Sequence, residues 1–179
     1  MKTFDEIYQG RPDQAEVGSS GYSNLLNLYK ICERLKPELI VESGTWKGNS
    51  SWLFHHFAPV ICHDIQFIKL MWRSPDITYI KEDIGNYDYR GNPDSTLYFF
   101  DDHISQEQRL EWCIKNEVKH CVFDDNQPYE IAQTLKNPPS PTLDEIRDDK
   151  IFRKVKRYEV LPFLGNRRNF DTRLTYIEL

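Results

Sequence analysis

Short apolar runs, each closed by one or more acids, alternate along this chain with segments whose apolar residues fall at helical spacing. Leu25, Leu26, Leu28, Tyr29, Ile31, Cys32 and Leu35 recur at intervals of three and four, predicting a helix that Ser23 caps and Pro37 stops. Residues 38 to 42 predict a buried strand ending in Glu42. Gly44 and Gly48 follow, then a helix carrying Trp52, Leu53 and Phe57, with Asn49 or Ser50 as its cap. A second strand over 59 to 64 ends in Asp64, and a short helix is expected over 66 to 73. The third strand, 77 to 80, ends near Glu82 and Asp83; the fourth, 96 to 100, is closed by Asp101, Asp102 and His103. A helix over 105 to 116 leads to a fifth strand, 120 to 123, which ends in Asp124, Asp125 and Asn126.

Strands alternating with helices predict an α/β protein with a mostly parallel, doubly wound sheet covered on both faces. The tail breaks that alternation. A helix is expected over 143 to 152, then two strands at 158 to 163 and 173 to 179, joined by a loop containing Gly165-Asn166. These form an antiparallel closing hairpin within residues 153 to 179, which brings the sheet to seven strands. The polar first 21 residues are expected to be irregular, with 1 to 17 a flexible segment. The Pro-rich stretch 137 to 141 reads as a plain connection, or as part of a lid. No internal repeat is visible, and 179 residues suit one domain.

Composition narrows the partners. A net charge of -5 argues against general nucleic-acid affinity, which needs a basic face. No apolar run is long enough to span a bilayer, and the charged N-terminus lacks the apolar core of a secretory signal. Cys32, Cys62, Cys113 and Cys121 lack paired metal spacing and read as reduced structural residues, as in a cytoplasm. A small-molecule partner is therefore expected, in a cytoplasmic protein without membrane contact. The basic run Arg153-Lys154-Val155-Lys156-Arg157 reads as a solvated strand entry, and Arg167 and Arg168 as loop residues able to reach an anion. His55 and His56 lie on a helix with no acid at ligand spacing and read as surface or core residues.

The candidate chemistry lies at the strand ends, because open α/β sheets bind ligands in the crevice at their carboxyl edge. Glycines between strand and helix let the backbone turn sharply and let a ligand approach closely. The series Glu42-x-Gly44-x-x-x-Gly48-x-Ser50 resembles the first cofactor loop of class I S-adenosylmethionine (SAM)-dependent methyltransferases of the metal-dependent catechol O-methyltransferase-like group. The pairs Asp102-His103 and Asp125-Asn126 resemble that group's two metal-binding strand ends. The resemblance covers residues 18 to 126 by motif and the remainder by strand layout.

That resemblance implies a Rossmann-like fold and O-methylation of a small hydroxylated molecule, with SAM as cofactor and Mg²⁺ as a further candidate. Glu42, Gly44, Gly48, Ser50 and Asp64 are the implied cofactor-binding residues, Glu42 toward the ammonium and Asp64 toward the ribose hydroxyls; Asp83 would meet the adenine. Asp102, Asp125 and Asn126 would hold the metal as three oxygen ligands. Their mutual repulsion calls for a cation, a proton or an arginine such as Arg109. The group's general-base lysine is replaced by Ser105, so either His103, beside Asp102, is the catalytic base, or the metal alone suffices, or the chemistry is different. Two other readings remain open: a non-catalytic ligand-binding module of the same fold, and a metal-dependent enzyme without the methyl donor.

Overall fold

The protein, seen in a computed structural model, is described at residues 2–14, 20–89, 91–126, 141–164 and 173–179. Its first element is a helix where irregular chain was expected. Helix α1 (Phe4–Gln9) is started by a capping box: the Thr3 hydroxyl accepts from the Glu6 N–H, and the Glu6 carboxylate accepts from the Thr3 N–H. Phe4 and Ile7 are buried, with Phe4 packed against Tyr8, Tyr22 and Tyr29. Helix α2 (Tyr22–Leu35) begins after Gly21 rather than Ser23. The Ser23 hydroxyl instead accepts the Leu164 N–H at 2.8 Å, tying the helix to the distal chain. Lys36 ends α2 in the left-handed conformation just before Pro37.

Strand β1 (Leu39–Ser43) leads through the glycine loop into α3 (Asn49–Phe54). Neither Asn49 nor Ser50 caps α3; Gly48 holds that position at φ 92°, without a side-chain bond. Strand β2 (Val60–His63) is followed by irregular chain over residues 65 to 73, where a helix was expected. Ile65, Ile68 and Met71 stay exposed there and only Phe67 and Trp72 pack on the core, too little apolar burial to hold a helix.

Next come β3 (Ile77–Ile80), a 3-10 turn (Ile84–Asn86), β4 (Thr96–Phe100), α4 (Gln106–Lys115) and β5 (His120–Phe123). The helix expected over 143 to 152 is replaced by turns and a 3-10 segment (Lys150–Lys154). Between 143 and 150 only Leu143 and Ile146 are buried, too narrow a stripe for an amphipathic helix. Strands β6 (Arg157–Val160) and β7 (Thr175–Glu178) complete the fold.

The sheet order is β3-β2-β1-β4-β5-β7-β6. The first five strands are parallel, and β7 enters antiparallel between β5 and β6. Strand alternation divides the core. Ile40, Leu97 and Phe99 join one layer with Leu25, Leu28 and Phe54. Val41, Tyr98 and Phe100 join the other with Leu110, Trp112 and Phe123. Because the chain order reverses between β1 and β4, a crevice opens at their carboxyl ends, and the acids gather there. Among the described residues, no helix is long and apolar enough to cross a membrane.

Candidate functional site

The glycine loop is built by close backbone approach. Gly44 has φ 89°, and a Cβ there would lie 2.0 Å from the Asp101 carbonyl oxygen. Its N–H donates to the His63 carbonyl at 2.8 Å, so β1, β2 and β4 meet at one residue. A Cβ on Gly48, at φ 92°, would lie 2.8 Å from Leu70. Between the glycines, Asp64 braces the loop. One of its carboxylate oxygens accepts from the Thr45 and Trp46 N–H groups at 3.0 and 3.3 Å, and the other from Gln66 at 2.9 Å. Thr45 leaves its hydroxyl buried without a hydrogen-bond partner, while Trp46 and Ile65 are exposed on either side of Asp64.

Glu42 lies beneath this loop. It is fully buried, and the hydroxyls of Ser50 and Ser51 donate to its two oxygens; the Cys62 thiol donates at 3.1 Å. Burial pushes its carboxyl pKa up, partly opposed by those donors. Both oxygens are thus engaged inside the protein. Glu42 and Ser50, both expected to meet the cofactor, are bonded to one another and link β1 to the start of α3.

Of the three residues expected to hold a metal, Asp102 and Asp125 line one cavity, while Asn126 is bonded to the C-terminal strands. Asp102 accepts from the Ser43 hydroxyl at 2.5 Å, from Arg109 Nε at 2.8 Å and from the Ile104 N–H at 3.1 Å. Asn126 is completely buried. Its amide donates to Tyr158 at 2.7 Å and to Thr175 at 2.8 Å, and its oxygen accepts the Asp144 N–H at 3.1 Å. Asp125, at φ 56° just beyond β5, lines the crevice, whereas Asn126 turns to Tyr158 and Thr175 of the C-terminal strands.

Asp101, His103 and Asp125 converge instead, with one ligand atom from each lying within 4.8 Å of the others. His103 Nδ1 is 3.5 Å from an Asp125 oxygen, and the imidazole is half exposed. Asp125 is 6% exposed, and its Oδ1 is buried with no hydrogen-bond partner. Burial raises the Asp125 carboxyl to about 6. Burial, reinforced by Asp124 and Asp125, pushes Asp101 well above the ordinary carboxylate range. The small cavity between these strand ends is lined by Asp101, Asp102, His103, Arg109, Asp124 and Asp125.

Arg109 is the organising cation. It is 4% exposed and pairs with Asp83 through two nitrogens, at 3.0 and 2.5 Å, as well as with Asp102. Its guanidinium holds the Asp83 carboxyl below its usual range. Asp83 also accepts the Gly85 N–H at 2.6 Å, so the residue expected to meet adenine is committed to the protein. Ser105, standing at the lysine position, caps α4 by accepting from the Gln108 N–H at 3.4 Å. Gln106 donates to the Asp124 carbonyl at 2.6 Å and accepts from the Leu143 N–H at 2.8 Å, closing the floor of the crevice.

In the sequence Arg109 stands out only as one way to offset the acids, and nothing there marks Asp101, Ser43 or Gln106. The available signal was spacing: Arg109 falls one helical turn after Ser105, on the face that looks back toward the strand ends. The four cysteines are free and buried, as expected. Arg167, Arg168 and residues 137 to 140 lie outside the described residues.

No protein-family model and no curated protein matches this chain by sequence. Solved structures do match in shape. An O-methyltransferase from Bacillus cereus in complex with SAH is 15% identical, with a TM-score of 0.63, over 100% of this chain and 92% of that one. A CmcI structure with Mg and SAM is 16% identical, with a TM-score of 0.60, over 100% and 85%. The N-methyltransferase NodS from Bradyrhizobium japonicum is 13% identical, with a TM-score of 0.61, over 86% and 91%. The 23S rRNA methyltransferase ErmE matches at a TM-score of 0.56. The fold of this chain is therefore that of the class I SAM-dependent methyltransferases, with the parallel sheet and the antiparallel β5-β7-β6 edge predicted from sequence.

Proposed function

We propose that this protein is a SAM-dependent methyltransferase acting on a hydroxyl of a small molecule, with a divalent cation held in the acid-rich crevice. The observation that carries the reading is the glycine loop at the switch point, with Asp64 at the rim and the buried, unpartnered Thr45 hydroxyl inside it. SAM, when bound, supplies a methyl group on an electron-poor sulfonium. The chain's residues receive and orient it. The backbone at Gly44 and Gly48 allows close approach, Asp64 offers acceptors for vicinal hydroxyls, and Trp46 and Ile65 offer apolar surface beside it.

At the reacting end, a cation among the crevice acids would make a substrate hydroxyl more acidic and fix its direction. His103, half exposed and 3.5 Å from an Asp125 oxygen, would accept the proton only where its imidazole does not itself hold the cation. Neither Asp102 nor Asp83 is assigned a direct part, because Arg109 engages both. That engagement, with Ser105 capping a helix, supports a second reading: a ligand-binding module of this fold without catalysis.

Calorimetric titration with SAM tests the proposal. Binding near micromolar, about -8 kcal/mol, is expected. Asp64→Asn should weaken it by roughly a hundredfold, about 2.7 kcal/mol, with an unchanged circular dichroism spectrum. Unchanged affinity would remove Asp64 from the cofactor site. Cofactor binding without methylated product across a panel of hydroxylated compounds would favour the non-catalytic reading.

A further inference from the structure

We propose that Asp101, His103 and Asp125 form a cation site that selects a later first-row transition-metal dication, such as Co²⁺ or Ni²⁺, over Mg²⁺. The site differs in both residues and metal from the motif-matched set of three oxygen ligands. Asp102 and Asn126 are withdrawn from that set by named partners: Ser43 and Arg109 for one, Tyr158, Thr175 and the Asp144 N–H for the other. Two carboxylates and an imidazole remain, from adjacent strand ends, with one donor atom from each within 4.8 Å of the others.

Carboxylates alone do not make a site. Here a second observation points to a ligand: Asp125 Oδ1 is buried, carries no hydrogen-bond partner and belongs to a residue only 6% exposed. A buried carboxylate oxygen left without a donor is costly, and a cation removes that cost. Arg109 does not serve this purpose, since its nitrogens are spent on Asp83 and Asp102.

The donor chemistry sets the choice of metal. Mg²⁺ favours an all-oxygen octahedron and retains its waters, whereas imidazole nitrogen suits the later first-row dications. Three protein ligands leave positions for water or a substrate oxygen. His103 and Asp125 both take positive φ, 56°, a conformation that His, Asp and Asn tolerate better than most residues.

The inference shares its crevice with the methyl-transfer reading but does not need SAM, so the two fail separately. Chelator-stripped protein is titrated with Co²⁺, followed by visible absorption, then competed with Mg²⁺ in the absence of SAM. One Co²⁺ per chain is expected, with Mg²⁺ displacing it only at concentrations roughly tenfold or more higher, about 1.4 kcal/mol. His103→Asn keeps a residue that tolerates positive φ at a half-exposed position. It should weaken Co²⁺ by roughly tenfold, about 1.4 kcal/mol, and narrow the gap to Mg²⁺. Asp125→Asn, with its fold checked by circular dichroism, should abolish uptake. No Co²⁺ uptake, equal affinity for Mg²⁺, or a Co²⁺ affinity indifferent to His103→Asn would each overturn the assignment.

Discussion

Arg109 grips Asp83 through two guanidinium nitrogens, at 3.0 and 2.5 Å, reaching from α4 to the chain just beyond β3. The same side chain bonds Asp102 at 2.8 Å, which in turn accepts from Ser43 at the end of β1. One buried cation thus joins the ends of β1, β3 and β4, and offsets two of the acids crowding the crevice.

Removing that cation should be expensive. Arg109→Met leaves Asp102, beside Asp101, and Asp83 without the cation they share, and a loss of about 3 kcal/mol in urea unfolding is expected. Arg109→Lys should recover only part of this, because an ammonium cannot reproduce the two-nitrogen grip on Asp83. A loss under about 1 kcal/mol for Arg109→Met would place it among ordinary surface pairs.

Gly44→Ala tests the backbone junction. The substitution meets both a positive φ and a carbonyl oxygen 2.0 Å from the new Cβ. The conformational cost alone is about 1–2 kcal/mol, and the clash adds about 1–3 kcal/mol more. Thermal unfolding should show both, together with loss of SAM affinity. A fully stable variant would mean that the loop moves away from Asp101 at little cost.

Asp125 should carry a distinctive pH dependence. Its carboxyl is raised from 3.8 to about 6 by burial. Between those values the folded protein keeps a proton that the unfolded chain has lost, so stability falls as pH rises through this window and levels off above it. The groups facing Asp125 are Asp101, Asp124 and His103, so the proton belongs partly to the cluster. In the presence of chelator, Asp125→Asn should be the more stable form at pH 8, by about 2–3 kcal/mol, and should equal the wild type near pH 4. Parallel urea curves across that range decide it, and a difference independent of pH would contradict it.

Thr3→Ala removes half of the capping box on α1. A local cost of about 1 kcal/mol is expected, seen as faster amide hydrogen exchange at Ile7 and Tyr8 with α2 unaffected. Unchanged exchange would show that burial of Phe4 and Ile7 alone holds the helix.

Much of the architecture was legible because it is written in periodicity. The seven strands, the long helices α2 and α4, and the antiparallel edge follow from short apolar runs and three-to-four spacing. The failures are local and share a cause. Residues 66 to 73 and 143 to 152 have helical composition, but too few of their apolar side chains find a core. Ser23, Asn49 and Ser50 look like caps, yet each hydrogen-bonds a partner distant in the chain or on another element. Helix α1 was missed although Thr3 and Glu6 stand at capping-box spacing, because its burying partners lie in α2.

By itself the sequence determined that a glycine loop, Asp64 and two acidic strand ends would share one crevice, since strand order and the alternation of apolar runs leave the carboxyl ends together. How each of those side chains is engaged was decided only in three dimensions. Asp102 and Asn126 carry the same motif positions either way, but Arg109 and Ser43 capture one, and Tyr158 and Thr175 the other. Those partners lie up to 59 residues away in the chain. A motif records which side chains reach a strand end; the neighbours packed around them determine where each one points.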